Sequence, residues 1–197
     1  MPRPSRIREK RASLLPVLAD AFTELGYRRA TTAALAERCG VQENILYRLW
    51  PDKKAMFVAA IEYVYDFSEQ TWLRLLERRR GEGSAAQRLL AFEAEHHGEF
   101  GHYRIIFAGL SEADDPDVRE ALRRVYARFH RFLLGQIVGH RQAAPAPQAL
   151  PADLAAWAVI GLGTVSNIAR ELGALSDADR RRLIQTVGRQ LLEGDSR

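Results

Sequence analysis

Residues 31–54, TTAALAERCGVQENILYRLWPDKK, decide the reading of this chain. Leu35, Ala36 and Cys39 fall on one helical face. Gly40 then supplies a tight turn, since only glycine enters the left-handed region without a Cβ penalty. Val41 plugs the corner, and a second short helix follows from about Glu43 to Arg48, stopped by Pro51. Two short helices joined by a glycine-containing turn present the second helix as a ridge about as wide as the DNA major groove. The same spacing also builds an ordinary helical hairpin, so spacing alone leaves both readings open.

Charge favours DNA. Residues 1–54 hold 11 Lys+Arg against 6 Asp+Glu, and residues 55–197 hold 18 against 19, so the positive excess sits in the first quarter of the chain. All three lysines, Lys10, Lys53 and Lys54, are there. A basic stretch beside a near-neutral remainder is the footprint of phosphate neutralisation, which supplies most non-specific affinity for nucleic acid.

With 197 residues the chain has room for one medium domain, or a small one fused to a larger, around a real core. The single cysteine, Cys39, excludes an intramolecular disulfide framework. Its place on an apolar helical face predicts a buried small hydrophobe rather than a redox sensor. No uninterrupted apolar run or cleavage site follows the basic N-terminus. The longest weakly polar stretch, Leu154–Ala169, reads as too short and too rich in small residues to span a bilayer. The expectation is a soluble, cytoplasmic protein with no membrane partner.

Apolar residues recur at helical spacing nearly throughout, with almost no β-alternation, which predicts an all-α fold of about nine helices. Met1–Lys10 is a basic, proline-containing arm, expected to be disordered without a partner. A first helix is predicted over Arg11–Leu25, ended by Gly26, and a second is capped by Thr31 or Thr32. Asp52 is the expected N-cap of a long fourth helix to about Arg80, broken by Gly81–Ser84. Further helices are predicted at about 84–97, 100–111, 116–139, 152–172 and 177–193, the third of these started by Asp115 before Pro116 with Asp117 and Glu120 in its first turn, and a loop is predicted over Arg141–Pro151. The division of function is expected near residue 54, with no linker there. Residues 1–54 form a basic arm and a three-helix, helix-turn-helix DNA-binding domain, and the long fourth helix joins it rigidly to a helical effector-binding and dimerisation domain, 55–197.

Laid out this way, the first quarter resembles the tetracycline-repressor (TetR) family of bacterial transcriptional regulators. The resemblance is carried by Gly26-Tyr27 before Thr31-Thr32, then Leu35-Ala36-Glu37, Cys39-Gly40-Val41, Leu46-Tyr47 and Lys53, over about residues 11–60. Arg104–Phe132 resembles the family's middle helices more loosely. The family implies a nine-helix homodimer, a double-stranded DNA operator as partner, and a small-molecule effector of unknown identity. No cofactor and no metal site are expected. Gln42, Glu43, Asn44 and Ile45 would then lie near base edges, with Tyr47 on a phosphate. Thr31 or Thr32 would meet a second phosphate, and Arg48, Lys53 and Lys54 would add backbone contacts. Asn44, or Gln42, can bond adenine bidentately, and Glu43 can accept from cytosine or merely offset the helix dipole. Ala33 can touch a thymine methyl. Two positions depart from the family pattern: Gln42, where Ser or Thr is usual as a cap, and Leu49-Trp50, where an aromatic or His and then Phe are usual.

The two C-terminal helices read as a dimer interface through Leu154, Trp157, Ala158, Gly161, Val165, Leu183, Ile184, Val187 and Leu191, or else as closure of the monomer core. Aromatic residues between helices four and eight are the candidate ligand-binding set: Tyr63, Phe67, Phe92, His96, Tyr103, Phe107, Tyr126, Phe129 and Trp157. They suit a lipophilic or aromatic effector, and they serve equally as plain core. The function read from all this is a ligand-responsive regulator, a repressor on a pseudo-palindromic operator, and not an enzyme. The alternatives are an activating or effector-independent regulator, or a metal-dependent enzyme using His96, His97, Glu99 and His102. A helix break at Gly98 or Gly101 would scramble that last cluster.

Overall fold

The computed structural model describes residues 4–77, 83–145 and 149–194. The elements are α1 (Pro4–Arg29), α2 (Thr32–Arg38), α3 (Glu43–Leu49), α4 (Lys53–Glu77), α5 (Ala85–His96), α6 (Tyr103–Ser111), α7 (Pro116–Ala143), α8 (Ala152–Glu171) and α9 (Asp177–Glu193). Among the described residues there are nine helices and no strand, as an all-α chain requires.

The boundaries differ from the periodicity where a local contact decides them. α1 begins at Pro4, so the described part of the basic arm is helical rather than disordered. Proline is pre-set for the first helical position, and no breaker stands between it and Lys10. Gly26 does interrupt α1, at φ 70°, but one further turn follows to Arg29. α7 runs on to Ala143 into the expected loop. Its last turn is held because Arg141 donates to the carbonyls of Leu191 (2.7 Å) and Leu192 (3.1 Å), which end α9, and to that of Leu150 (2.6 Å). The expected end of α4 at Arg80 and the Gly81 break lie outside the described residues. α8 is longer than the apolar stretch suggested. Its 20 residues are long and apolar enough to cross a membrane by length and composition only, so the argument from shortness fails. The helix takes in flanking residues at both ends, Ala152–Asp153 and Arg170–Glu171, that an apolar run leaves out.

The residues pack as two compact units, 1–68 with 100–126 (unit 1) and 69–99 with 127–197 (unit 2). α4 and α7 contribute to both. These units follow packing and do not bear on the division of function expected near residue 54. In unit 1, α1 lies against α6, and α2 against α3. Phe22, Leu35, Leu46, Phe57, Ile61 and Ile105 are wholly buried there. Phe57 meets Phe22 edge-on at 5.1 Å and stacks on Tyr27 at 4.5 Å. Unit 2 is built on α5, α8 and α9, with one apolar cluster around Ala155, Ala156, Ile137 and Leu192 and another around Ala94, Leu162 and Ile184. Close approach in unit 2 depends on glycine. A Cβ on Gly163 would meet the His97 ring at 2.9 Å, and one on Gly188 would meet Leu90 at 2.3 Å.

Phe57 is the ring shared by α1 and α4, so Phe57→Ala should cost about 3–5 kcal/mol in denaturant unfolding, the range for deleting a buried aromatic. A loss below about 1 kcal/mol would mean that the ring is not what holds the head.

Candidate nucleic-acid interface

The helix-turn-helix is closed by a backbone motif. Gly40, at φ 61°, donates its N–H to Glu37 O, and Val41 donates to Ala36 O, both at 3.0 Å. This crossed pair satisfies the last carbonyls of α2 and turns the chain toward α3, and the left-handed residue it needs is the glycine. Leu35 and Ala36 from α2, with Leu46 and Leu49 from α3, are buried. The opposite face of α3 is left to solvent: Gln42, Glu43, Asn44, Tyr47 and Arg48 are exposed and Ile45 half-exposed. Gln42 stands at the N-cap without a side-chain bond, consistent with its being a weaker cap than Ser or Thr. Its amide is therefore uncommitted.

Thr31 caps α2, accepting from Ala34 N at 3.2 Å, which leaves its own O–H free to donate. The Tyr47 hydroxyl donates to Thr32 Oγ1 at 3.1 Å, tying α3 to the start of α2. Ala33 is exposed beside them. Arg48 is exposed and holds no ion pair among the described residues. Trp50 is buried at the end of α3, with the guanidinium of Arg11 5.8 Å from its ring.

The two lysines are engaged elsewhere. The Lys53 ammonium donates to the carbonyls of Tyr27 and Ala30, each at 3.0 Å, and lies 4.5 Å from the Tyr27 ring. It thus caps the end of α1 from the first turn of α4. Lys54 pairs with Asp117 at 2.6 Å and Asp115 at 3.1 Å, and these contacts, Asp117 first, push its ammonium well above the usual lysine range. The same corner holds Arg28, whose Nε reaches Glu112 at 2.7 Å. The Tyr27 phenol is pushed up by burial first and then by Glu112, Asp115 and Asp52. The Cys39 thiol is half-buried and pushed up by burial, the setting of an inert cysteine.

This acidic corner between α6 and α7 was visible in the sequence only as a start signal for α7, at Asp115-Pro116-Asp117. Its meaning is spatial. Counted by compact unit, unit 1 holds 15 Lys+Arg and 13 Asp+Glu, and unit 2 holds 14 and 12. The charge that is segregated along the chain is therefore not segregated in space, because Glu112, Asp115 and Asp117 return to the basic head. What distinguishes the head is the uncovered polar face of α3, not net charge.

The aromatic set divides between the units. In unit 1, Tyr63 packs near Phe67 (6.1 Å), and the His102 ring lies 5.9 Å from Tyr63 and 4.9 Å from Phe67. Tyr103 and Phe107 meet edge-on at 5.6 Å, and Tyr126 is half-buried. In unit 2, Phe92 lies against His96 (4.6 Å), Phe129 meets Trp72 edge-on (5.7 Å), and Trp157 stacks on His130 (4.9 Å). The histidines do not converge. α5 stops at His96, Gly98 and Gly101 both take positive φ, and α6 starts only at Tyr103. His96 turns to Glu99 (2.9 Å), His97 to Glu93 (2.7 Å), and His102 to Asp20 (3.1 Å). Among the described residues no group of three or more His, Cys, Asp or Glu side chains is placed to hold a metal ion.

On α8, Leu154, Trp157, Gly161 and Val165 lie along one exposed stripe that continues through Ile168 and Leu172, and Ala158 beside it is half-buried. Five of these are large apolar side chains between 43% and 75% exposed. On α9, Ile184 is buried in the second apolar cluster of unit 2, Leu183 and Val187 pack against it, and Leu191 is half-buried.

Residues 15–60 match the family model described as "Bacterial regulatory proteins, tetR family". The nucleoid occlusion factor SlmA of Haemophilus influenzae (strain PittGG) is 44% identical over 59 residues, 29% of this chain and only 27% of that protein. Among solved structures, a putative TetR-family transcriptional regulator from Rhodococcus sp. superposes with a TM-score of 0.79 at 20% identity, over 94% of this chain and 99% of that one. A putative transcriptional regulator from Saccharomonospora viridis in complex with choline gives 0.74 at 16% identity, over 90% and 94%. At these identities the structures speak to the fold.

Lys54 holds the Asp115 carboxyl below the usual carboxylate range, against burial, and the N–H groups of Asp117 and Val118 act in the same direction. A depressed carboxylate contributes stability above its unfolded pKa, about 3.9, that is lost as pH falls through the lower folded value. Below about pH 4, Asp115→Asn, which keeps an acceptor for the cap, should lose stability less steeply than the parent chain. Parallel acid-unfolding curves would remove this pair from the account.

Proposed function

We propose that this chain is a DNA-binding regulator of the TetR family, whose model its residues 15–60 match, and that it works as a homodimeric repressor. Its operator is pseudo-palindromic double-stranded DNA, and a small-molecule effector releases it. The observation that carries the reading is the exposed polar face of α3, set on a buried apolar face by the Gly40 turn. Asn44 and Gln42 are the base readers, with Glu43 and Ile45 beside them and Ala33 against a thymine methyl. The hydroxyls of Tyr47, Thr31 and Thr32 and the Arg48 guanidinium meet phosphate and fix the register. The ammonium groups of Lys53 and Lys54 are already bound inside unit 1, so their part is to set the pose of the head.

Dimerisation runs through the exposed stripe of α8. A row of large apolar side chains at helical spacing, with Gly161 in its middle, suits close packing of a second copy, and exposed apolar surface of this kind favours association. A two-fold dimer presents two α3 helices to two half-sites. Ile184 lies in the protomer's own core and Leu183 and Val187 pack against that core, so of the α9 residues the half-buried Leu191 is the one left to the partner. The effector favours a conformer whose heads do not fit the operator, and it can weaken DNA binding only as far as it prefers that conformer. The aromatic clusters suit a lipophilic or aromatic molecule. The choline in the Saccharomonospora neighbour supports the general use of such a domain for a small ligand, not choline here. The match to SlmA covers 59 residues and only 27% of that protein, so its name carries no second function over.

Selection from a random duplex pool, read by sequencing, should return a two-fold symmetric motif. Tyr47→Phe should weaken binding to all sequences alike, and Asn44→Ala should relax one base pair per half-site by about 1–3 kcal/mol. No enrichment by the parent chain would end the operator reading. In sedimentation at micromolar concentration, Trp157→Glu with Val165→Glu should convert a dimer to a monomer. A dimer that survives both charges would move the interface elsewhere.

A further inference from the structure

The cations of the head fall into two groups. Arg28 and Arg38 pair with Glu112 and Glu24, and Lys54 pairs with Asp115 and Asp117. Lys53 and Arg29 are held by backbone carbonyls. Arg6, Arg8, Lys10 and Arg11, on the first turns of α1, are all exposed and pair with no carboxylate among the described residues. Arg48 on α3 is in the same condition.

These first turns of α1 have no core of their own. Its first buried residue is Leu14, and in the stretch 6–13 every residue but the half-buried Ile7 is exposed. At 1.5 Å per residue, about 12 Å of polar helix therefore extends past the packed part. Packing does not decide the residue types of such a stretch, so its run of cations answers to something outside the protomer's core. At 3.6 residues per turn, Arg6, Lys10, Arg11 and Arg8 lie within about 200° of arc, with Glu9 outside it. Leu14 and Leu18, which bury α1 in the head, fall near the middle of the same arc. The basic side is thus the continuation of the packed side, and it borders the helix-turn-helix. Burial raises the Cys39 thiol at the end of α2, and the nearby Lys10 charge acts against that rise. The Arg11 guanidinium lies 5.8 Å from the ring of Trp50, which directly follows α3.

We propose, resting on the operator reading, that Arg6, Arg8, Lys10 and Arg11 form a second DNA contact, a phosphate clamp on the duplex beside the half-site that α3 reads. Two observations favour DNA over other polyanions: the cations are unpaired while their neighbours in the head are engaged, and they adjoin the exposed face of α3. One strand carries a charge about every 3.4 Å, so about 12 Å of helix passes about three or four phosphates, close to one for each cation. The clamp adds affinity and not sequence preference, because phosphates are alike along the duplex.

The test measures binding of the full chain to the selected operator, with and without flanking base pairs, over a range of salt. Arg6→Gln with Arg8→Gln and Lys10→Gln removes three charges, keeps good helix formers and leaves Arg11 on Trp50. This variant, checked as folded by circular dichroism and melting temperature, should lower the slope of log affinity against log salt by about 2.7 per head. Its affinity at 0.1 M salt should fall by about tenfold or more, and its selected motif should be that of the parent. Arg6→Lys with Arg8→Lys should keep the parent slope. Trimming the flanks should weaken the parent chain and leave the triple variant unmoved. If the parent chain selects no motif, the operator reading falls, and the same slopes on a random-sequence duplex decide the clamp by itself. The proposal is overturned if the triple variant keeps the parent slope, if it selects a different motif, or if trimming leaves the parent's affinity unchanged. It is equally overturned if the variant's loss appears on phosphatidylglycerol vesicles and not on DNA.

Discussion

The ammonium of Lys53, held 3.0 Å from the carbonyls of Tyr27 and Ala30, is the constraint on which the head depends. α1 breaks at Gly26 and ends at Arg29, and its terminal carbonyls need donors once the helix can no longer supply them. Lys53 supplies them from the first turn of α4, and its charge lies against the Tyr27 ring, which itself stacks on Phe57. One side chain thus ties the end of α1, the approach to α2 and the start of α4. α2 and α3 fold between those fixed points. The exposed face of α3 is oriented by that frame as much as by its own turn.

A second set of contacts joins the head to the corner between α6 and α7. Arg28 with Glu112, and Lys54 with Asp115 and Asp117, place three carboxylates against two head cations. Exposed ion pairs are each worth little, so the significance of the corner is geometric more than energetic. It ties α4's first turn to the start of α7 within unit 1, and α4 and α7 both continue into unit 2.

Much of this was legible in the sequence. The helical period, the Gly40 turn, the Thr31 cap and the Asp115-Pro116 start are local signals, and local signals survive into the fold. The direction in which a long side chain points was not legible. Lys53 and Lys54 look identical along the chain, yet one caps a helix and the other pairs with acids 61 and 63 positions away. The three carboxylates that join the head, Glu112, Asp115 and Asp117, were not legible for the same reason, since they meet Arg28 and Lys54 only when the chain folds. On α9, periodicity marked Ile184, Leu183 and Val187 as apolar but could not say which side of the helix meets its own core and which meets a partner.

The central claim is that α3 and its flanking hydroxyls face DNA while the lysine pair serves the head from within. The most direct test is the salt dependence of operator binding for Arg48→Ala and Lys53→Met. Each phosphate contact contributes about 0.9 to the slope of log affinity against log salt. The account predicts that Arg48→Ala lowers that slope by about 0.9, and that Lys53→Met leaves it unchanged while reducing stability. The opposite pattern, with the slope falling for Lys53→Met and unaltered for Arg48→Ala, would contradict it.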